Sequence, residues 1–486
     1  MTIPAILDQA VERPGDGPAL VGQEGTLTYT GAFKASQALA ARLQCHGCVP
    51  GDRVLLAAET GISYLVGLCG ILQAGGLAVP VNPADPLARR QWIAKDAGCQ
   101  WAVTADPRLD VGLNSDRVLA AMDEGPPERH AGFQNIKLDP DGEAMIIYTS
   151  GTTGQPKGVV LTHRGLLINA ADVVQYLRLN SADKVLIFLP TAYSYTLSQL
   201  LTAVLASAQI IFLPNMFHPT YFSHSIKRHG ITGFGGVPTT FNLLCDYLEK
   251  KNETLPSLRF VMNAGGPLLP STMAKLIALL PGVQIFNCYG CTEIGPRATY
   301  LPPDEVVRRL GSIGKALPSV RLRVVQEDGT DVQPGGIGEI VLKGPTLMKG
   351  YYCNPEATAR AITSEYFYTG DLATVDEDGF VYFKGRKDDV FRSGDAKVSP
   401  VEVEDVLLRH PDILEAVVVG MPHQTLGMVP KAIVVAKSGR SLDDSEIRRW
   451  CMNLLPQHCV PKVIEMRNTL EKSLTGKLLR VEAGQP

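Results

Sequence analysis

For its first three hundred residues the chain alternates between two hydrophobic periodicities, and this restricts the fold more than any single motif. Strand-length apolar runs stand at Asp52–Ala58, Leu77–Val81 and Trp101–Thr104. Between them, Ala32–Leu43, Ser63–Leu72 and Arg89–Ala97 carry apolar residues at helical spacing. A second set of runs lies at Lys184–Pro190, Ala208–Leu213, Ile231–Phe234, Leu258–Met262 and Gln284–Asn287. Helical stretches separate these at Leu197–Leu205, Phe222–His229, Thr239–Lys250 and Thr272–Leu280. Such alternation predicts parallel sheets with helices on both faces. The polar stretch 105–140 reads as a loop with one short helix.

The pattern changes after about residue 310. Val320–Val325, Gly338–Lys343 and Gly379–Lys384 alternate apolar and polar residues, separated by turn signals at Asp328-Gly329 and Pro334-Gly-Gly336. This reads as a smaller antiparallel unit, a distorted barrel. From about residue 389 another small unit follows, with helices at Pro400–His410 and Ser445–Leu454 and strands at Ala416–Gly420 and Lys431–Ala436. The fold class expected is α/β: a large N-terminal domain of two doubly wound sheets plus a distorted β-barrel, then a small α+β C-terminal domain. A chain of 486 residues exceeds what one hydrophobic core holds.

Composition adds exclusions. With 45% apolar and 20% charged residues the chain is an ordinary soluble globular protein. A net charge of −3 gives no electrostatic reason for a nucleic-acid or acidic-membrane partner. Thr60–Ala84 and Val185–Ile226 contain no Asp, Glu, Lys or Arg and are long enough to span a bilayer. Gly75-Gly76, Pro80 and Pro83 interrupt the first; Pro190, Gln199, Pro214 and Pro219 interrupt the second. Both read as a buried helix beside a buried strand, not as membrane spans. The first ten residues lack the basic and apolar regions of a secretory signal, so the ten cysteines are expected to be reduced thiols in the cytoplasm. Cys45/Cys48 and Cys288/Cys291 have CxxC spacing, but no second ligand pair stands at zinc distance.

Tyr148-Thr-Ser-Gly-Thr-Thr-Gly-Gln-Pro-Lys-Gly158 lies between two apolar runs, Ala144–Tyr148 and Val159–His163. Its glycines let backbone amides approach an anion. Thr149, Ser150, Thr152 and Thr153 add hydroxyl donors, and Lys157 adds a mobile charge. That chemistry suits a triphosphate, although the GxxxxGK[ST] spacing of the P-loop is absent. Downstream, Asn287-Cys-Tyr-Gly-Cys-Thr-Glu293 sets a carboxylate beside a hydroxyl at the end of an expected strand, as a phosphate-bound Mg²⁺ requires.

The order of these motifs resembles the adenylate-forming superfamily, which includes AMP-forming acyl-CoA synthetases, peptide-synthetase adenylation domains and luciferases. The resemblance runs from Leu27-Thr-Tyr29 to Lys477. It implies that Thr149, Ser150, Gly151, Thr152, Thr153, Gly154 and Lys157 cradle the phosphates of ATP. It implies further that Glu293 ligates Mg²⁺, Thr292 touches phosphate, and Tyr289, with Asn287 and Gly290, adjoins adenine. Asn263-Ala-Gly-Gly-Pro-Leu268 resembles the adenine-side segment, with Gly265 and Gly266 at its centre. Tyr368-Thr-Gly-Asp371 supplies an acid for the ribose hydroxyls, and Gly385-Arg-Lys-Asp388 supplies Arg386 and a hinge at Asp388. The domains implied are therefore 1–387 and a mobile lid, 388–486. Gly338–Pro345 and Lys349–Tyr352 match the linking motif. Lys477, in Ser473-Leu-Thr-Gly-Lys477, is the implied lysine of the adenylation step. Rotation about the hinge would withdraw it and present Arg392–Lys397 instead.

The implied reaction joins a carboxylic acid to a thiol through an acyl-adenylate. CoA is the favoured acceptor, and the phosphopantetheine arm of a carrier protein is the alternative. The implied acid pocket comprises Tyr193, Ser194, Val237, Pro238, Phe241 and Ala264. No acid stands near Tyr193-Ser194 or Val237-Pro238 in the sequence, which argues against a substrate with an α-ammonium group. Tyr193 also replaces a histidine that many acyl-CoA synthetases carry. A non-catalytic nucleotide-binding relative is the second class of reading. It is disfavoured because Lys157, Glu293, Asp371, Arg386 and Lys477 are all present. A membrane transporter would rest on the two uncharged stretches alone.

Overall fold

The computed structural model describes residues 1–12, 17–122, 134–149, 156–214, 218–394, 396–437, 439–440 and 442–471, the side chain of Lys397 excepted. Ser150, Gly151, Thr152, Thr153, Gly154 and Lys477 lie outside them.

The described residues form four sheets. The first has seven strands, and its parallel part comprises Glu143–Thr149, Leu77–Pro80, Arg53–Ala57, Trp101–Thr104 and Val118–Ala120. The second has nine. Its parallel part runs Gln284–Tyr289, Phe260–Asn263, Gly233–Gly236, Lys184–Ile187, Gln209–Phe212 and Leu20–Gly22. These are the two doubly wound sheets that the periodicity predicts. The strand Leu20–Gly22, not anticipated, stitches the N-terminal segment into the second sheet. In the polar stretch, the described residues hold one 3₁₀ turn, Ser115–Arg117, and the edge strand Val118–Ala120.

Glu143–Thr149 and Lys157–Thr162 pair antiparallel, with Thr149 opposite Lys157. The strands on either side of the glycine-rich stretch are therefore neighbours in one sheet. Gly350–Tyr351 pairs with the second of them. The helix His163–Leu177 starts directly after Lys157–Thr162, with Thr162 Oγ1 accepting from Gly165 N at 3.0 Å.

The first charge-free stretch is largely interior, and so is the second up to about residue 213. Every residue of the helix Ile62–Gln73 is buried, and so is every residue of its neighbouring strand Leu77–Pro80. Gly61 offers that helix no side-chain cap, and Glu24 supplies one from outside: its carboxylate accepts from Ile62 N and Ser63 N at 3.1 Å each. Helix Ser194–Leu205 packs against His163–Leu177, and one cluster of buried side chains joins Leu39, Leu65 and Leu68 to Leu166, Leu200 and Phe286. Among the described residues no helix is long and apolar enough to cross a membrane.

Arg321–Val325, Ile337–Lys343, Tyr366–Val375, Ile362–Thr363 and Val381–Arg386 form an antiparallel sheet where the barrel-like unit was expected. Its central strand, Tyr366–Val375, carries the Thr-Gly-Asp motif. The last sheet contains Ile413–His423 and Gly427–Ala436, covered by Pro400–Leu408 and Asp444–Leu454. It has its own buried cluster around Val403, Leu407, Val418 and Ile447. A cleft of about 390 Å³ separates this unit from the large one, between Pro270, Gly311 and Tyr382 on one side and Val401, Asp405 and Leu454 on the other.

The strand Gly233–Gly236 shows how closely the second sheet is packed below the site. A Cβ on Gly233 would meet the Phe260 ring at 2.1 Å, and one on Gly235 would meet Tyr195 Oη and Gln199 at 2.6 Å. Gly233→Ala is therefore expected to lower the unfolding free energy by about 2 kcal/mol in urea denaturation with the m-value unchanged. Wild-type stability in that variant would contradict the close-packing argument.

Candidate active site

Five segments from three sheets bring the motif residues together. Tyr289, ending its strand in the nine-stranded sheet, donates from its hydroxyl to Asp371 Oδ2 at 2.7 Å. Asp371 sits on the antiparallel sheet, and Arg386 Nη1 pairs with its Oδ1 at 3.0 Å across adjacent strands. Asp371 is buried and Tyr289 half-buried. Burial, with Asp371 second, pushes the Tyr289 phenol well above its ordinary pKa, so it remains a donor. The bend that presents Asp371 is fixed by Thr369 Oγ1, which accepts from Asp371 N at 3.0 Å, and by Glu339 Oε1, which accepts from Gly370 N at 2.9 Å.

Glu293 follows Tyr289 on a short 3₁₀ turn, Thr292–Ile294. Tyr351 Oη donates to Glu293 Oε1 at 3.1 Å, and Lys157 Nζ lies 5.3 Å from the centre of the Tyr351 ring. Lys157 thus lies one aromatic ring away from the carboxylate. Burial raises the Glu293 carboxyl above its usual range, more than its hydrogen bonds and Arg386 lower it. A hard carboxylate held in this way, beside the Thr292 hydroxyl, fits a magnesium ion, whose charge would offset that cost. Gly290 leaves room for the turn: a Cβ there would lie 2.4 Å from Pro296 O.

Several of the residues expected for the acid pocket also lie close together. Ser194 Oγ lies 2.9 Å from Thr292 Oγ1, joining the pocket to the phosphate side. A Cβ on Gly265 would touch Val237 at 3.4 Å, and one on Gly266 would touch Pro238 at 3.2 Å, so these two segments face each other. Ala264 is buried, and Phe241 is fully buried with its ring stacked on Phe234. Asn263 Nδ2 donates to Asn287 Oδ1 at 2.9 Å and to Gly266 O at 3.1 Å, tying both adenine-side motifs into one network.

One expectation needs correction. The sequence has no acid next to Tyr193, but the fold brings Asp85 near it, together with Asn82 as a side-chain hydrogen-bond partner. Asp85 is buried, and Arg89 Nε pairs with it at 3.4 Å. It is an ion-paired acid supplied by a distant loop, which no local reading of residues 193–194 can find. Sequence reasoning also gave Tyr351 and Glu339 no individual role. Asp388 lies exposed in the turn between the antiparallel sheet and the last sheet.

With this geometry established, comparison with known proteins is direct. The family "AMP-binding enzyme" matches residues 7–352, and "AMP-binding enzyme C-terminal domain" matches 402–477. The chain belongs to the AMP-binding enzyme family. A feruloyl-CoA synthase of Amycolatopsis is 30% identical, covering 94% of this chain and 93% of the relative. A 2-succinylbenzoate–CoA ligase of Bacillus cereus is 32% identical over 100% of this chain and 98% of its own length. Among solved structures, o-succinylbenzoate CoA synthetase from Bacillus subtilis bound to its acyl-adenylate intermediate superposes with a TM-score of 0.88. It is 27% identical and covers 99% of this chain and 98% of that one.

Glu293→Gln tests the electrostatics. For an acid whose pKa is raised on folding, the native state binds more protons than the unfolded chain between the unfolded and folded pKa values. Native stability therefore falls as pH rises through that window and stays reduced above it. The neutral amide carries no such penalty. The variant is expected to melt at the wild-type temperature near pH 4 and above it at pH 8, while losing magnesium-dependent stabilisation by ATP. A Tm difference independent of pH would contradict the buried-charge assignment.

Proposed function

We propose that the chain activates an acyl or aryl carboxylic acid lacking an α-amino group, using ATP, and passes the acyl group to CoA. The chemistry is ATP-dependent acid–CoA ligation through an acyl-adenylate. One observation supports the reading above the rest: Tyr289, Asp371, Arg386, Glu293, Tyr351 and Lys157 converge although they come from distant parts of the chain. The relatives' names, a feruloyl-CoA synthase and a 2-succinylbenzoate–CoA ligase, agree with an acid–CoA ligase. The B. subtilis synthetase has also been solved with ATP and a magnesium ion.

In the first half-reaction a carboxylate oxygen bonds to the α-phosphorus of ATP, the bond to the β-phosphate oxygen breaks, and diphosphate leaves. Asp371 holds the ribose hydroxyls and Arg386 the ribose or phosphate. Lys157, with Thr149, Ser150, Gly151, Thr152, Thr153 and Gly154, orients the phosphates. Glu293 is the residue to hold magnesium, which neutralises phosphate charge when bound. Lys477 meets the carboxylate and the α-phosphate as charge develops there. In the second half-reaction a thiol attacks the activated carbonyl and AMP departs. Residues 388–486 act as a lid turning about Asp388, and the cleft on that side leaves room for the movement. A carrier-protein phosphopantetheine arm presents the same thiol as CoA and is the alternative acceptor.

The test is a panel of carboxylic acids with ATP and magnesium, scored by diphosphate release and hydroxylamine trapping. Lys477→Ala is expected to reduce diphosphate exchange at least about 100-fold while thioester formation from supplied acyl-adenylate stays near wild type. Equal loss of both half-reactions would reject the lid assignment. Absence of diphosphate release with every acid would reject the reaction itself.

A further inference from the structure

Among the described residues, one fully buried charge has no counter-ion. Arg297 is fully buried, and its Nε and Nη2 have no hydrogen-bond partner. Its Nη1 makes a long bond to its own neighbour's carbonyl, Pro296 O, at 3.4 Å. Among the described residues it forms no ion pair. Its guanidinium sits 4.0 Å above the ring of Tyr195, and its other close neighbours are uncharged: Tyr176 and the Cys288 thiol, the latter a weak hydrogen-bond partner. Interior guanidinium groups without a counter-charge are costly, and replacing them with apolar residues commonly stabilises a protein. A fold keeps one where something else supplies the anion.

The surroundings say what that anion is. Nε and Nη2 form the side edge of the guanidinium, the edge whose two parallel N–H bonds match a carboxylate. Gln199 and the Tyr195 hydroxyl both lie against Gly235; Gln199 Oε1 accepts from Gly235 N at 3.1 Å, and its Nε2 is buried without a partner. Arg297 Nε and Nη2 and Gln199 Nε2 are thus three unpaired N–H donors near Tyr195, while unpaired acceptors, Asn169 Oδ1 and Asn263 Oδ1, belong to the residue bonded to Arg297 O and to the residue after Met262. Tyr195 ties them to the pocket. Its hydroxyl donates to Gly236 O at 3.2 Å and Met262 O at 3.0 Å, just ahead of Val237 and the Asn263-Ala264 segment. Its neighbour Ser194 bonds Thr292 on the phosphate side.

We propose that Arg297 and Gln199 form the far end of the acid pocket and receive a second carboxylate of the substrate. The acid is then a dicarboxylic acid, activated at the carboxylate remote from Arg297. This rests on the adenylation reading above, since the near carboxylate must face Thr292 and ATP. A site with buried donors strongly rejects an analogue that cannot pair them, because the donors are left unsatisfied.

The experiment compares straight-chain dicarboxylic acids, their monomethyl esters and monocarboxylic acids of equal length, by diphosphate release from the full chain with ATP, magnesium and CoA. At the fitting chain length the diacid is expected to exceed its monoester in kcat/KM by about 100-fold. It alone raises the wild-type melting temperature. Arg297→Met is expected to bring the ratio close to one and to melt, without ligand, at or above the wild-type temperature; Arg297→Lys keeps part of the preference. Equal use of diacids, esters and monoacids at every length overturns the proposal but leaves adenylation standing. Diacid preference that survives in Arg297→Met overturns it as well, and absence of diphosphate with any acid removes its premise. Should Arg297→Met fail to fold, the wild-type rates and melting shifts, which need no variant, decide the question.

Discussion

A single carboxylate holds the site together. Asp371 accepts from Tyr289 of the nine-stranded sheet and pairs with Arg386 of the neighbouring strand. A strand end distant in sequence and the adjacent strand of its own sheet thereby meet at one buried group. Arg386 lies two residues before the exposed Asp388, so the point where the chain leaves the large unit is anchored to the proposed ribose contact. Glu339 reinforces the same corner by accepting from Gly370 N and from Lys387 Nζ at 2.9 and 3.2 Å. The proposed ribose contact and the start of the C-terminal unit therefore share one short stretch of backbone.

Around that corner the protein tolerates arrangements that stability alone would not select. Glu293 is held where burial raises its pKa, and Arg297 is buried without an acid. Glycines at 233, 235 and 290 remove side chains that would collide with Phe260, Tyr195 and Pro296. The two buried charges weaken the protein and would be offset by a charged ligand, whereas the glycines serve close packing. This is the pattern expected where a binding site is preorganised for charge.

Much of the fold was legible because it is written in local periodicity. The helix Ile62–Gln73 and the strands on either side of it follow from an apolar run interrupted by glycine and proline. The motifs were legible too, being contiguous: Thr369-Gly-Asp371 and Tyr289–Glu293 each carry their chemistry within a few residues. Long-range pairing was not. Nothing local shows that Thr149 and Lys157 face each other on neighbouring strands, that Tyr351 bridges Lys157 to Glu293, or that Asp85 approaches Tyr193. The strand Tyr366–Val375, central to its sheet, was missed because Thr369-Gly370 resembles a turn; the register break opposite Glu339–Val341, which spans Thr369–Asp371, accommodates it. Arg297 reads as a routine surface charge until its burial is known.

The central claim is that these separated groups serve one nucleotide, and calorimetric titration of magnesium–ATP into wild type and Asp371→Asn tests it most directly. The amide keeps the shape but not the charge, and loses acceptor strength toward both ribose hydroxyls. The account predicts binding weakened by about 100-fold, the equivalent of two lost charge-assisted hydrogen bonds, with the native fold retained by circular dichroism. Wild-type affinity in that variant would contradict it.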